Sequence, residues 1–284
     1  MHDPDSDSTF VTREGVTMPR LVYGTAWKKG RTAALVTQAL CAGFRGLDTA
    51  GQPRHYAEAG VGAGIAAAAA TGIARGDLYV QTKFTPPAGQ DPATIPYDPA
   101  AAPGEQVRQS FARSRENLGL AHVDALLLHS PLPPPAFAEV WAAMEGLVTR
   151  GEVRILGLSN CHDVPVLEAL WQRARVKPSV LQNRFHARSR FDTEIRAFCR
   201  RHDIVYQSFW TLTANPQVLD HARVRALARR YRRTPPQILF RYLTQVGVVP
   251  LTGTTSQIHM REDLSIFDFT LTLDEQAGLA PLFR

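Results

Sequence analysis

The sequence predicts an α/β protein, a single (β/α)8 TIM barrel preceded by a short N-terminal β-hairpin. Two observations carry that reading. Eight short apolar runs alternate with helix-length segments along the whole chain, the pattern of a parallel sheet with helices on its outside. Three of the runs close on a polar residue of catalytic type, Asp48, Lys83 and His129, at the strand ends where such barrels carry their active sites. The runs are Leu21–Tyr23, Phe44–Leu47, Leu78–Thr82, Val123–Leu128, Val153–Leu158, Val180–Leu181, Ile204–Ser208 and Val248–Leu251. Helical spacing falls between them at Ala33–Ala42, Ala57–Thr71, Glu105–Leu118, Ala136–Thr149, Val164–Arg175, Asp192–His202 and Pro235–Gln245. Ahead of the first run, Thr9–Thr12 and Gly15–Met18 flank Arg13-Glu14 and read as the hairpin. No Ser/Gly-rich linker divides the chain. One barrel domain over residues 9–284 is therefore expected, behind a flexible segment 1–8.

The bulk properties narrow the function classes. A chain of 284 residues can bury a sizeable core, and 44% hydrophobic with 20% charged residues is ordinary for a globular protein. The first eight residues are polar and acidic, unlike a signal peptide. No apolar stretch approaches membrane-spanning length, the run Ala66–Ala70 being too short. A cytoplasmic protein with no membrane partner is expected. Cys41, Cys161 and Cys199 stand at unrelated spacings without a CxxC pair, which suits reduced thiols and offers no metal site. The net charge of +6 is dispersed, apart from Arg200-Arg201, Arg229-Arg230 and Arg232-Arg233 on helical segments. No basic platform interleaved with aromatics is present, so a nucleic-acid partner is not expected. A phosphate-bearing cofactor is a sufficient anionic partner, and the protein is expected to be a monomer or weak homodimer.

If consecutive strands lie parallel, the ends at Asp48, Lys83 and His129 meet at one mouth, and Tyr56 follows Asp48 on a short loop. An ammonium beside a phenol favours the phenolate, and a carboxylate keeps that ammonium charged and in place. A phenol tuned in this way can give a proton to a carbonyl oxygen near neutral pH. Taken singly, each residue is as readily structural: Asp48 an ion-pair partner, His129 a hydrogen-bonded core histidine.

At these residues the chain resembles the aldo-keto reductase family, from about Val16 to Phe269. The resemblance is carried by Gly24-Thr25, Leu47-Asp48-Thr49-Ala50, Tyr56, Gln81-Thr82-Lys83, Leu127-Leu128-His129, Gly157-Leu158-Ser159-Asn160, Gln182-Asn183 and Phe267-Asp268-Phe269. It implies that Tyr56 donates the proton, Lys83 lowers its pKa, Asp48 holds Lys83 and His129 orients the carbonyl. Hydride would come from a nicotinamide cofactor. The chain departs from the family in one respect here. Tyr follows Asp by eight positions rather than the usual five, with Gly51-Gln52-Pro53-Arg54-His55 in between.

The same resemblance places the cofactor. Gly24 and Thr25 belong to its site, and Ser159, Asn160 and Gln182 match the carboxamide-binding positions. Phe209 stands where the family usually stacks a Tyr on the nicotinamide, a task any aromatic face can perform. Trp210 and Thr211 replace the usual Ser-Pro, and Leu212 follows in the pyrophosphate strap. At the adenosine end Gly253 stands at the 2′-phosphate lysine position, Thr254 at the following Ser and His259 at the clamping Arg. Glu262 and Asp263 approximate the adenine pair. With the cationic clamp largely replaced, NADP(H) is only slightly favoured and NAD(H) is also compatible. Trp27, Ser130 and Trp210 are expected in the substrate pocket. The stretch Pro86–Pro103, with six prolines directly after Lys83, is expected to lie over the mouth as a substrate lid carrying Ile95 and Tyr97.

These expectations converge on NAD(P)H-dependent reduction of an aldehyde or ketone, a small-molecule carbonyl being the partner. The alternative is a barrel that keeps the cofactor site but acts as a binding or regulatory protein with little turnover.

Overall fold

The computed structural model describes residues 8–283. Except for Ser8, the expected flexible segment lies outside them. Strands β1 (Thr9–Val11) and β2 (Thr17–Pro19) pair antiparallel, Phe10 opposite Met18, and Gly15 takes a positive φ of 80° in the turn between them. Eight further strands follow: β3 (Val22–Gly24), β4 (Gly46–Asp48), β5 (Tyr79–Phe84), β6 (Val123–Leu128), β7 (Val153–Ser159), β8 (Pro178–Arg184), β9 (Val205–Phe209) and β10 (Val248–Thr252). All are parallel, and they close into a barrel in which β10 pairs with β3 on one side and β9 on the other.

The outer helices are α1 (Thr32–Ala42), α2 (Glu58–Ala69), α3 (Pro103–Leu118), α4 (Ala136–Thr149), α5 (Val164–Arg173), α6 (Thr193–Arg201), α7 (Pro216–Leu219), α8 (Ala222–Tyr231), α9 (Pro235–Gln245), α10 (Gln257–Leu264) and α11 (Leu273–Leu279). Strand residues facing outward, such as Leu47, Val80, Leu126 and Leu128, join the helices in the main apolar core. Gly64 of α2 exists as glycine for contact: a Cβ there would lie 2.6 Å from Val36 Cβ, so α1 and α2 could not stay as close. The sequence pattern passes over α8 because its buried stripe is only Val224 and Ala228 among four arginines. Among the described residues no helix is long and apolar enough to cross a membrane.

Inside the barrel the filling changes from apolar to polar along its axis. At the N-terminal end Val16 and Met18 from the hairpin pack on Tyr79, Ala125, Leu127, Ile155 and Val180, so the hairpin covers that opening. Above them Gln81, Gln182 and Gln207 form a buried amide layer. Gln81 Nε2 and Gln182 Nε2 donate to Gln207 Oε1 at 2.8 and 2.9 Å, and Gln207 Nε2 donates back to Gln81 Oε1 at 3.0 Å. Paired amides in so dry a place avoid the penalty of unsatisfied polar groups. This layer is the floor of the site.

The stretch Pro86–Pro103, expected from its prolines to be a lid, is anchored to the barrel at several points, while its Ile95 borders the cavity that Tyr56 lines. Tyr97 is buried against Phe84, ring centres 5.6 Å apart, and its hydroxyl donates to the Thr85 carbonyl at 2.7 Å. Gln90 Nε2 donates to the Gly51 carbonyl at 2.7 Å, and Gln106 Nε2 to the Ala101 carbonyl at 2.8 Å. An aromatic side chain gains more by entering the apolar layer between β5 and α3 than by standing in solvent, and it draws the segment down the barrel's outside.

Candidate active site

Asp48 ends β4, Lys83 is the penultimate residue of β5, and His129 follows β6 directly, so parallel pairing gathers all three at one rim. Lys83 Nζ donates to Asp48 Oδ1 at 2.5 Å and to the Thr49 carbonyl at 2.9 Å. The same Oδ1 accepts from Gln81 Nε2 at 2.6 Å and Gln182 Nε2 at 2.9 Å. Three donors on one oxygen fix the carboxylate where it can hold the ammonium. Burial pulls the Lys83 pKa down, and the Asp48 charge opposes that pull.

Tyr56 reaches this rim despite the longer loop. Gly51 N donates to the Lys83 carbonyl at 2.9 Å, extending the β4 chain along β5. The Gln52 carbonyl then accepts from both His55 N and Tyr56 N at 3.0 Å, which turns the inserted residues back on themselves. The Tyr56 ring lies edge-on to the His129 ring with centres 6.1 Å apart, and Lys83 Nζ is 5.2 Å from the Tyr56 ring centre. The expectation of an acidified phenol needs correcting: burial, and secondarily the Asp48 charge, push the Tyr56 hydroxyl above its ordinary value. The reason is geometric. The Lys83 hydrogen bonds go to Asp48 and Thr49, and the ammonium meets the ring face of Tyr56.

His129 is held neutral, its pKa lowered to about 3 by burial, then by Lys83 and His55. Its Nδ1 lies 2.6 Å from Thr85 Oγ1. Behind Tyr56, between the β4–α2 loop and α3, lies a cavity of about 380 Å³ lined by Gln52, Tyr56, Glu58, Ile95, Arg113 and Asn117 among others.

The remaining expected residues spread around the rim. Asn160 is exposed at φ 54°, its Nδ2 donating to the His129 carbonyl at 2.8 Å, while Ser159 Oγ donates to the Gln182 carbonyl at 2.7 Å. Gln182 turns inward, its amide nitrogen shared between Asp48 and Gln207. Thr25 is buried with Oγ1 donating to the Asp48 carbonyl at 2.8 Å, so it props the strand end. Phe209 is half-buried, Leu212 packs on the main core, and Ser130 is half-buried beside His129. Trp27 and Trp210 are 56% and 49% exposed, both in the left-handed region with φ 63° and 56°. Gly24 meets Thr252 across the β3–β10 seam.

Beyond β10, Gly253 and His259 are exposed and Thr254 is half-buried. Ser256 caps α10, and Thr254 Oγ1 accepts from Ser256 N at 3.1 Å. Glu262 is half-buried. Asp263 does not face outward with it: its carboxylate accepts from Thr252 Oγ1 at 2.7 Å, and burial raises its pKa to about 6. The helix turn that leaves Glu262 at the surface directs its neighbour toward the barrel.

Comparison with known proteins agrees with this architecture. The family model described as Aldo/keto reductase family matches residues 20–280. The chain belongs to the aldo/keto reductase family. It is 31% identical to the uncharacterized oxidoreductase YtbE of Bacillus subtilis over 241 residues, 84% of this chain and 79% of that one. It is 29% identical to the glyoxal reductase of Bacillus subtilis, covering 94% of this chain and 90% of that one. The crystal structure of an aldo/keto reductase from Brucella melitensis superposes with a TM-score of 0.83 at 28% identity, over 96% of this chain and 98% of that one.

Within this aldo/keto reductase three residues near the rim escape the sequence reading. Thr85 stands at His129 Nδ1. Lys28 donates to the Gly253 carbonyl, so a cation stands beside the position read as having lost one. Barrel closure was the available signal, since pairing β3 with β10 puts the residues after Gly24 beside those after Thr252. The third is Arg184, whose guanidinium lies 4.1 Å from the Trp210 ring centre.

Proposed function

We propose that this aldo/keto reductase reduces a small aldehyde or ketone to the alcohol with a nicotinamide cofactor, Tyr56 donating the proton. The observation that carries the reading is the cluster of Tyr56 and His129 rings beside the Lys83–Asp48 pair at the C-terminal barrel mouth. A reduced nicotinamide, when bound, supplies the hydride to the carbonyl carbon. The rim suits such a ring: Phe209 offers an aromatic face, and the Asn160 side chain, pinned by its nitrogen, stands exposed beside Ser159.

Tyr56 hands its proton to the carbonyl oxygen as negative charge grows there. The phenolate left behind faces the Lys83 ammonium, so the cation stabilises the product of the transfer rather than acidifying the resting phenol. Thr85 Oγ1, 2.6 Å from His129 Nδ1, holds the imidazole in place; in the tautomer where the hydroxyl donates to Nδ1, the neutral ring carries its proton on Nε2 and can donate to the same oxygen. Asp48 keeps Lys83 protonated through both states.

Two relatives are named for their substrates, the glyoxal reductase of Bacillus subtilis and the methylglyoxal reductase DkgA of Yersinia pestis. Small dicarbonyls are therefore the first substrates to try, with NADPH and NADH each followed by absorbance. Cofactor oxidation that depends on the carbonyl supports the reading, and none across the panel rejects it. The second reading, a cofactor-binding barrel with little turnover, draws on the ring-face contact of Lys83 with Tyr56. Cofactor binding without turnover would favour it.

A further inference from the structure

We infer that Arg184, held over the Trp210 ring, is an anion-recognition platform at the barrel mouth, taking a carboxylate or phosphate carried by the bound substrate or cofactor. For its substrate arm the inference rests on the reductase reading above.

Strand alternation gives Arg184 its place. Gln182 points into the barrel, where its amide reaches Asp48 and Gln207. Asn183 points outward, its Nδ2 donating to the Cys161 carbonyl at 2.6 Å and Asp192 Oδ2 at 2.7 Å. Arg184 returns to the inner face one step above Gln182, in register with Phe209. An exposed cation thus stands beside the half-buried Phe209, over the end of the barrel that holds Lys83 and His129.

The guanidinium is also held and unspent. It lies 4.1 Å from the Trp210 ring centre, the closest cation–ring approach among the described residues. Trp210 is fixed by a backbone at φ 56°, a conformation bulky residues rarely adopt and one that collects at functional sites. The ring contact takes none of the guanidinium's N–H donors as hydrogen bonds, and those donors recognise carboxylate or phosphate in bidentate fashion. Elsewhere arginines on the outer layer meet acids: Arg175 with Glu145, Arg230 with Glu275, Arg233 with Asp268. Among the described residues no carboxylate lies within ion-pair distance of Arg184.

The test compares wild type, Arg184→Met and Arg184→Lys. Tryptophan fluorescence titrations with 4-oxobutanoate, NADPH and NADH read binding without turnover, and kcat/KM is measured for 4-oxobutanoate and for uncharged butanal. If the anion is the substrate's, Arg184→Met weakens 4-oxobutanoate binding about tenfold or more. It also lowers the ratio of kcat/KM for 4-oxobutanoate over butanal to the same degree, and Arg184→Lys restores part of the loss. If the anion is the cofactor's diphosphate, the dissociation constants of NADPH and NADH rise together by a similar factor. Unchanged affinity for all three ligands in Arg184→Met overturns the inference. Failure of the wild type to reduce either aldehyde rejects the reductase reading alone, since the titrations still report on Arg184.

Discussion

Lys83 Nζ lies 5.2 Å from the centre of the Tyr56 ring, while its hydrogen bonds run to Asp48 Oδ1 and the Thr49 carbonyl. The cation therefore meets the π face of the phenol, an attraction of about 1–2 kcal/mol when desolvated. Its charge reaches the hydroxyl through space. Burial first, and the Asp48 charge second, hold the Tyr56 hydroxyl above its ordinary value.

The ion pair beneath Tyr56 is expected to carry stability as well as charge. Asp48→Asn leaves Lys83 buried without its hydrogen-bonded counter-charge, Glu58 acting on it only through space, a loss of about 3–5 kcal/mol. Urea unfolding should show this loss, and the double variant Asp48→Asn with Lys83→Met should recover much of it. A single variant within about 0.5 kcal/mol of wild type would mean that the pair is neutralised already.

Asp263 gives a pH signature of known sign. Its pKa is raised from 3.8 to about 6, so the folded state holds the proton more tightly than the unfolded state. The cost of the buried charge is full above pH 6 and fades as pH falls toward 4. Two pH units of difference are worth about 3 kcal/mol at most. Asp263→Asn keeps an acceptor for Thr252 and should raise stability at pH 7–8 while flattening the profile between pH 4 and 6. A parallel profile displaced by a constant would contradict the assignment.

The barrel, the hairpin and the gathering of Asp48, Lys83 and His129 at one rim were legible in the sequence, because alternating apolar runs fix a parallel sheet and parallel strands fix which ends meet. What the pattern could not show was the direction of single side chains off the strands. Tyr97 reads as a lid residue in sequence, yet it is buried on Phe84 because burial outweighs its neighbours' turn chemistry. Asp263 beside Glu262 looks like an outward pair until the helix turn separates them. Lys28 beside Gly253 depends on barrel closure between segments 225 residues apart.

The Pro86–Pro103 segment consequently has a different expected behaviour from a lid. Tyr97→Ala should destabilise the fold by about 3 kcal/mol, as for other large buried aromatics. Replacing Ala88–Ala101 with a short Gly/Ser turn should lower Tm markedly. Intact folding with altered KM would restore the lid.

Lys28 is the expected determinant of cofactor choice. Its pKa is lowered by burial and by Arg31, and its amine stands at the Gly253 carbonyl, where the family resemblance places the 2′-phosphate. Lys28→Met should weaken NADPH by about 1.5–3 kcal/mol and NADH much less. Equal weakening of both would place Lys28 at the shared diphosphate. No change in either would remove it from the cofactor site.

The proton transfer from Tyr56 is tested most directly by Tyr56→Phe, which keeps the ring over Lys83 and beside His129 and removes only the hydroxyl. Single-turnover reduction of methylglyoxal with the preferred cofactor should slow by several orders of magnitude, with the cofactor dissociation constant changed less than about twofold. Reduction at a near-normal rate would contradict the assignment and place the proton source elsewhere at the mouth.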